Sequence, residues 1–333
     1  MDTFLEFLAA FPLTLWGSVV MLFRPESNLN IFYLSSSALV VAAVWYASPA
    51  VRTRASSLAA YLLPARVFLH PSALLDYKNY FVFLLVRVFY FSTMVVTGTM
   101  VANAFAVHLS DIFGSNPLVE ASMWTVLAVT TVVEFLTLEL GYWVAHRIMH
   151  EIPFFWEFHK THHAAEVMTP ATAARVHPVD DMLVANASGV FGGLGLAICM
   201  QVFGREAQTF TLLQYNAIYY AYLLTFFHLR HSHVWIACTG WLGHIVQSPA
   251  HHQIHHSDAP QHAGTNLGYC LVIWDWAFGT LHVPTEEDRR NLAFGIGPEG
   301  KDYRTLSDLY ILPFVKLLRP LRAPEEQEKQ PAV

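Results

Sequence analysis

Residues 122–150 read SMWTVLAVTTVVEFLTLELGYWVAHRIMH, an apolar run that ends in two histidines four positions apart. A bilayer core about 30 Å thick needs roughly 20 apolar residues in helix, and 122–145 meets that length. The run is read as a membrane helix delivering His146 and His150 to one surface. Residues four apart share a helix face, so both imidazoles can reach one metal. Working outward, stretches 7–23, 31–51, 80–107, 182–203 and 209–227 are also apolar and of comparable length. The first lacks a basic leading segment and a small-residue cleavage site, and is read as a retained anchor. Gly189, Gly192, Gly193 and Gly195 in 182–203 permit close helix approach.

Charge orients the chain. Segment 52–79 holds Arg52, Arg54, Arg66 and Lys78, whereas 108–121 holds no lysine or arginine. The positive-inside rule places 52–79 in the cytoplasm and 108–121 outside. Stretch 122–145 then returns inward, and 182–203 with 209–227 forms a hairpin that brings His228 to the same face. The expected fold class is all-α: an integral membrane helix bundle, multi-pass, with a histidine-rich dimetal site on its cytoplasmic face. The membrane would be a bacterial inner membrane, or endoplasmic reticulum in a eukaryote. Expected domains are an N-terminal anchor and interfacial segment (1–79), a catalytic domain (80–285) and a polar C-terminal segment (286–333). In the last, 305–318 can form an amphipathic helix and 324–333 reads as disordered.

Bulk properties agree. Of 333 residues 54% are hydrophobic and 13% charged, against about a quarter charged in soluble domains. A net charge of −6 with no basic stripe argues against nucleic acid as a partner. Three cysteines without a CxxC pair argue against disulfides and a cysteine zinc site, and for a reducing compartment. The chain has 18 histidines, and all but His70 and His108 fall between His146 and His282.

Those histidines form groups beside the apolar stretches. After His146-Arg-Ile-Met-His150 come His159-Lys-Thr-His162-His163, then His228-Leu-Arg-His231-Ser-His233, then His252-Gln-Ile-His255-His256. Imidazole suits iron, zinc, copper and nickel alike. Eight or nine ligands exceed the four positions of a closed zinc site and suit two metals with open positions, where O2 can bind. Glu139 precedes His146 by seven and His150 by eleven residues, offsets that return to within about 20° on a helix. It is expected to accept a ring N–H from one of these ligands. Glu134 has no assigned role. His177, in Arg175-Val-His-Pro178, is balanced between support of a ligand and a structural role. His70, His108, His244, His262 and His282 read as structural or surface residues. The run Trp274-Asp-Trp276-Ala-Phe278 reads as an interfacial anchor.

These motifs resemble the fatty acid hydroxylase/sterol desaturase superfamily of membrane di-iron enzymes, over roughly residues 60–285. His146–His150, His159–His163 and His252–His256 match its three histidine boxes. Flanks Tyr142-Trp-Val-Ala-His146-Arg, Arg175-Val-His-Pro178, Arg230-His231-Ser232, Ser248-Pro249 and Trp274-Asp-Trp-Ala-Phe-Gly279-Thr280 match as well. The resemblance implies an additional ligand at His231, with His228 less secure and His233 a further alternative. It implies two iron ions and O2 as cosubstrate, and a cytoplasm-facing helical cap on a membrane-helix bundle. It further implies hydroxylation or desaturation of a lipid such as a sterol or fatty acyl chain. Two departures stand out. Asp180 and Asp181 follow His177-Pro178 where the family often has glutamate. No fused cytochrome b5 sequence is visible, so electrons are expected from a separate ferredoxin, or from cytochrome b5 with its reductase.

Two other functions compete. Zinc-dependent lipid hydrolysis would run without O2 or reductant. A metal transporter would spread its histidines and carboxylates through several helices at midplane depth, whereas here they gather at helix ends.

Overall fold

The computed structural model describes residues 29–53 and 55–318. Stretch 7–23 and tail 324–333 lie outside the described residues. The described chain is mostly helical, with one two-stranded hairpin, Thr211–Leu212 paired to Tyr215–Asn216. The main helices are α1 (Ile31–Ala47), α2 (Pro71–Met94), α3 (Gly98–Phe113), α4 (Met123–Glu151), α5 (Pro153–His163) and α6 (Pro178–Phe203). Shorter helices α7 (Ala217–Thr225), α8 (Phe227–Arg230), α9 (Pro249–His255) and α10 (Ile273–Phe278) follow, then α11 (Leu306–Leu318).

The 122–150 run forms α4, capped by Ser122, whose side chain accepts from Thr125 N. Its 29 residues extend about 44 Å at 1.5 Å per residue. Its final turns, with His146 and His150, therefore project beyond a hydrocarbon core about 30 Å thick. Helices α4 and α6 are long and apolar enough to cross a bilayer, and Leu58–Phe68 with Pro71–Phe91, bent by 87°, is a third candidate. Outward-facing Met123, Trp124, Val132 and Ile198 are exposed, as lipid contact requires. The glycines act by absence of bulk. A Cβ on Gly195 would collide with Thr137 of α4, and one on Gly193 with the Gly98 carbonyl of α3. So α6 packs tightly between both neighbours.

Three expectations about spans change. Stretch 80–107 is not one helix: α2 ends at Met94 and α3 begins at Gly98. Asn186 of α6 stabilises the break, accepting from Val96 N at 2.8 Å and donating to the Met94 carbonyl at 3.2 Å. Stretch 209–227 is the hairpin plus nine-residue α7, too short to span. Phe210 N donates to Thr131 Oγ1 and Asn216 Nδ2 to the Thr131 carbonyl and Glu134 Oε2, which holds the hairpin part-way along α4 and gives Glu134 its role. Finally, α1 has 17 residues, short of a full crossing. The amphipathic segment near the C-terminus is α11, packed on α5 through Phe314 and Phe158.

Candidate metal centre

The polar ends of α4 and α6 meet α5, α8 and α9, and there the histidines converge. The structure gathers nine into two groups whose nitrogens lie within 4.8 Å of one another. The first holds His146, His150, His159, His163 and His255, and the second His162, His231, His252 and His256. Each HxxHH motif feeds both. On α5 the i, i+4 pair His159 and His163 joins the first group while His162 turns to the second. On α9 His252, with His256 capping the helix's C-terminal end, joins the second while His255 turns to the first. Adjacent residues on a helix point about 100° apart, so a doubled histidine reaches two centres. The groups touch: the rings of His163 and His256 stack at 4.5 Å.

The donor set fits two metal ions on two observations. In the second group, Nε2–Nε2 separations are 3.3 Å (His162–His231), 3.0 Å (His231–His252) and 3.1 Å (His252–His256). Ligands about 2.1 Å from a shared ion stand about 3.0 Å apart at a right angle and about 3.4 Å at the tetrahedral angle. In the first group, the Nε2 atoms of His150, His159, His163 and His255 are buried without a hydrogen-bond partner among the described residues. Buried polar atoms are rarely left so. Burial, reinforced by the nearby His255 imidazole, pushes the pKa of His162 to about 3, and burial with the Arg230 charge pushes His255 to about 4. Both rings are neutral at pH 7, with lone pairs available for a metal.

Acceptors behind the rings decide which nitrogen is available. His146 Nδ1 donates to the Leu267 carbonyl (2.7 Å), His255 Nδ1 to the Thr265 carbonyl (2.8 Å) and His162 Nδ1 to the Arg175 carbonyl (3.2 Å). His159 Nδ1 faces Asp180 Oδ2 at 3.2 Å. Carbonyls and carboxylates only accept, so in these four rings Nδ1 carries the proton and Nε2 is left bare. Asp180 is the functional residue that sequence reasoning noted only as a departure. Asp180→Asn is expected to weaken metal retention about 10- to 100-fold in chelator competition. Retention equal to wild type would show that Asp180 does not tune His159.

Glu139 is placed differently from expectation. It faces the same side of α4 as His146 but sits about 10 Å lower, seven residues at 1.5 Å each. Its Oε2 accepts from Cys270 N (2.8 Å) and Leu271 N (2.9 Å) rather than from a ring. Asp275 completes the clamp, accepting from Leu267 N, Gly268 N, Thr280 Oγ1 and Trp143 Nε1. The two carboxylates thus fix segment 267–271, whose Leu267 carbonyl orients His146. Asp275 lies within the aromatic run read as an anchor, and nothing in the local pattern marks it.

The remaining histidines fall outside both groups. Buried His228 packs on Phe227 and Tyr33, at ring distances of 4.8 and 6.4 Å. His177 uses Nδ1 to cap α6, accepting from Val179 N, and Nε2 toward the Tyr310 carbonyl. His233 bonds the Tyr61 carbonyl at 2.7 Å. His262 and His282 each meet one oxygen of Asp288 at 3.1 Å, tying the loop that carries Thr265 to the start of the polar segment.

Three cavities reach the groups or lie close to them. One of about 170 Å³ is lined by His146, His159, His162, His231, His252 and Arg230, among others. It shares Tyr142, Asp181, Val184 and Tyr269 with a cavity of about 500 Å³ between α2, α3, α4 and α6, whose lining includes Phe91, Leu138 and Leu196. A third, about 700 Å³, reaches His150, His163 and His255 past Glu151, Trp156 and Asp258.

Residues 131–280 match the family model described as fatty acid hydroxylase. Alkylglycerol monooxygenase of Homo sapiens is 31% identical over 154 residues, 46% of this chain and 31% of that protein. Ornithine lipid hydroxylase OlsE of Rhizobium tropici is 30% identical over 158 residues, 47% of this chain and 43% of its own length. Delta(7)-sterol 5(6)-desaturase ERG3B of Gibberella zeae is 30% identical over 166 residues, 49% and 45% respectively. The matched region thus spans less than half of each of these relatives. No solved structure matches the chain. The region shared with these lipid-modifying enzymes is the one in which the histidines assemble, and over residues 131–280 the chain carries a fatty acid hydroxylase domain.

Proposed function

We propose that this chain is a multi-pass membrane oxygenase that hydroxylates, or desaturates, a lipid C–H bond using O2 and two external electrons. Residues 80–285 form its catalytic unit, and its metal centre faces the cytoplasm. The observation that carries the reading is the pair of adjacent buried histidine groups beside an apolar cavity. His146, His150, His159, His163 and His255 would hold one iron, and His162, His231, His252 and His256 the other. O2 reduction and the oxidising power for C–H cleavage are the chemistry that a histidine-held iron pair supplies when bound.

The protein's part is orientation and exclusion of water. Asp180 and the Leu267, Thr265 and Arg175 carbonyls hold four rings in one tautomer. The 500 Å³ cavity, walled by α4 and α6, suits an acyl or isoprenoid chain entering from the bilayer. Tyr142 and Tyr269, common to both cavities, guide it toward the histidines. The more polar third cavity suits approach of O2 and of a ferredoxin or cytochrome b5 donor. The histidines gather at one end of α4 and α6, which disfavours transport through the midplane.

The test is isotopic. With reductant, a total lipid extract and ¹⁸O2, label is expected in a lipid alcohol, or in water if the product is an alkene. Turnover that persists without O2 and takes its oxygen from H2¹⁸O would overturn the reading in favour of hydrolysis.

A further inference from the structure

One charged group in the inner cavity lacks a counter-ion. Arg87 and Arg175 are paired with Asp181 and Asp76, but Arg230 forms no salt bridge among the described residues. It is 3% exposed. Its guanidinium stacks 3.9 Å from the Tyr269 ring, and Nη1 donates to the Tyr269 carbonyl at 3.2 Å. Its Nε has no hydrogen-bond partner among the described residues. Its charge is felt by Tyr142, Tyr222, Tyr269 and Cys270 and by His162, His231, His252 and His255, none of them a carboxylate. Glu139 lies within electrostatic reach but forms no ion pair with Arg230 among the described residues: its Oε2 accepts from Cys270 and Leu271 N–H, and its Oε1 has no hydrogen-bond partner there.

A guanidinium offers five N–H donors in a rigid fork, and burying a charge without a partner is strongly unfavourable. The Tyr269 carbonyl and the Tyr142 side chain engage only part of this fork, so these contacts alone do not explain a charge at this site. Position does. Arg230 lines the same 170 Å³ cavity as His146, His162, His231 and His252, and precedes His231 in sequence. An oxygen held by Arg230 would therefore lie in a cavity that His146 and His159 of one group and His162, His231 and His252 of the other also line.

We propose that Arg230 is a specificity-determining residue that hydrogen-bonds an oxygen of the lipid substrate a bond or two from the carbon attacked. The substrate class is then a lipid with a carboxylate, ester or ether oxygen beside the reacting C–H bond, and not a hydrocarbon attacked in mid-chain. The inference rests on the oxygenase reading above for what is attacked, though not for what binds.

The experiment is equilibrium binding to the full-length, metal-loaded chain in detergent, without reductant, read by intrinsic tryptophan fluorescence. The probes are hexadecane, 1-O-hexadecylglycerol and palmitate. Wild type is expected to bind at least one oxygenated probe about 10- to 100-fold more tightly than hexadecane, the range for a hydrogen bond to a charged group. Palmitate ahead of the ether identifies a carboxylate, and the reverse order a neutral oxygen. Arg230→Met, checked for metal content and melting temperature, is expected to erase the preference while leaving hexadecane affinity unchanged. No preference in wild type, or a preference intact in Arg230→Met, would overturn the proposal. Should Arg230→Met fail to fold, Arg230→Lys carries the test. A shift of several fold for the oxygenated probe alone supports the role, and equal shifts for all probes overturn it. Because nothing turns over, a chain without oxygenase activity would still give these results, so the two readings fail separately.

Discussion

Replacing His252 with alanine is expected to remove about one metal ion per chain and to lower turnover by about 100-fold or more, beyond the range seen for supporting residues. His252 Nε2 lies 3.0 Å from that of His231 and 3.1 Å from that of His256, so it holds two edges of the second group together. The first group draws its five nitrogens from other residues and is expected to keep its ion. The expected product is a half-loaded protein, not an unfolded one. Metal content per chain, measured with turnover and melting temperature, checks this. Loss of both ions together would show that the groups do not bind independently, and full loading would remove His252 from the ligand set.

Asp76→Ala is the second large effect, and it acts on stability. Arg175 is 1% exposed and pairs with Asp76 at 3.0 Å, while Asp76 also accepts from Thr172 Oγ1 at 2.7 Å. The same guanidinium bonds the Thr161 and Tyr303 carbonyls and Ser72 Oγ, joining α2, α5 and the polar segment behind the second group. Removing the carboxylate leaves a buried cation unpaired, which costs about 3–5 kcal/mol. Melting in detergent is expected to fall by roughly 5 °C or more. Since the Arg175 carbonyl orients His162, the second ion should also be lost more readily. The double variant Asp76→Leu, Arg175→Met removes both charges and keeps that carbonyl, so it should regain most of the stability. A double variant as unstable as Asp76→Ala would show that the pair matters for packing and not for charge.

The site was legible where chemistry and local geometry coincide. An i, i+4 pair on one helix turn is visible in sequence, so the three histidine boxes could be read directly. The partition between centres could not. Adjacent rings diverge by about 100° on any helix, but nothing local shows which centre His162 or His163, or His255 or His256, will enter until helix axes are fixed in space. Glu139 shows the limit of helical-wheel reasoning, which gives an angle and no height. Its carboxylate is on the expected face but too far along α4 to reach a ring. The break between α2 and α3 was hidden because Asn186, some ninety residues later, satisfies it. Asp275 was masked by its aromatic neighbours. Each failure comes from contacts made by residues distant in sequence, which a periodic pattern does not record.

The most direct measurement is metal analysis with Mössbauer spectroscopy on the detergent-purified, ⁵⁷Fe-enriched chain. Imidazoles arranged as five and four predict about two iron ions per chain in unlike nitrogen-rich environments, both responding to reductant and O2. A single tetrahedral zinc that supports full activity without O2 would contradict the account.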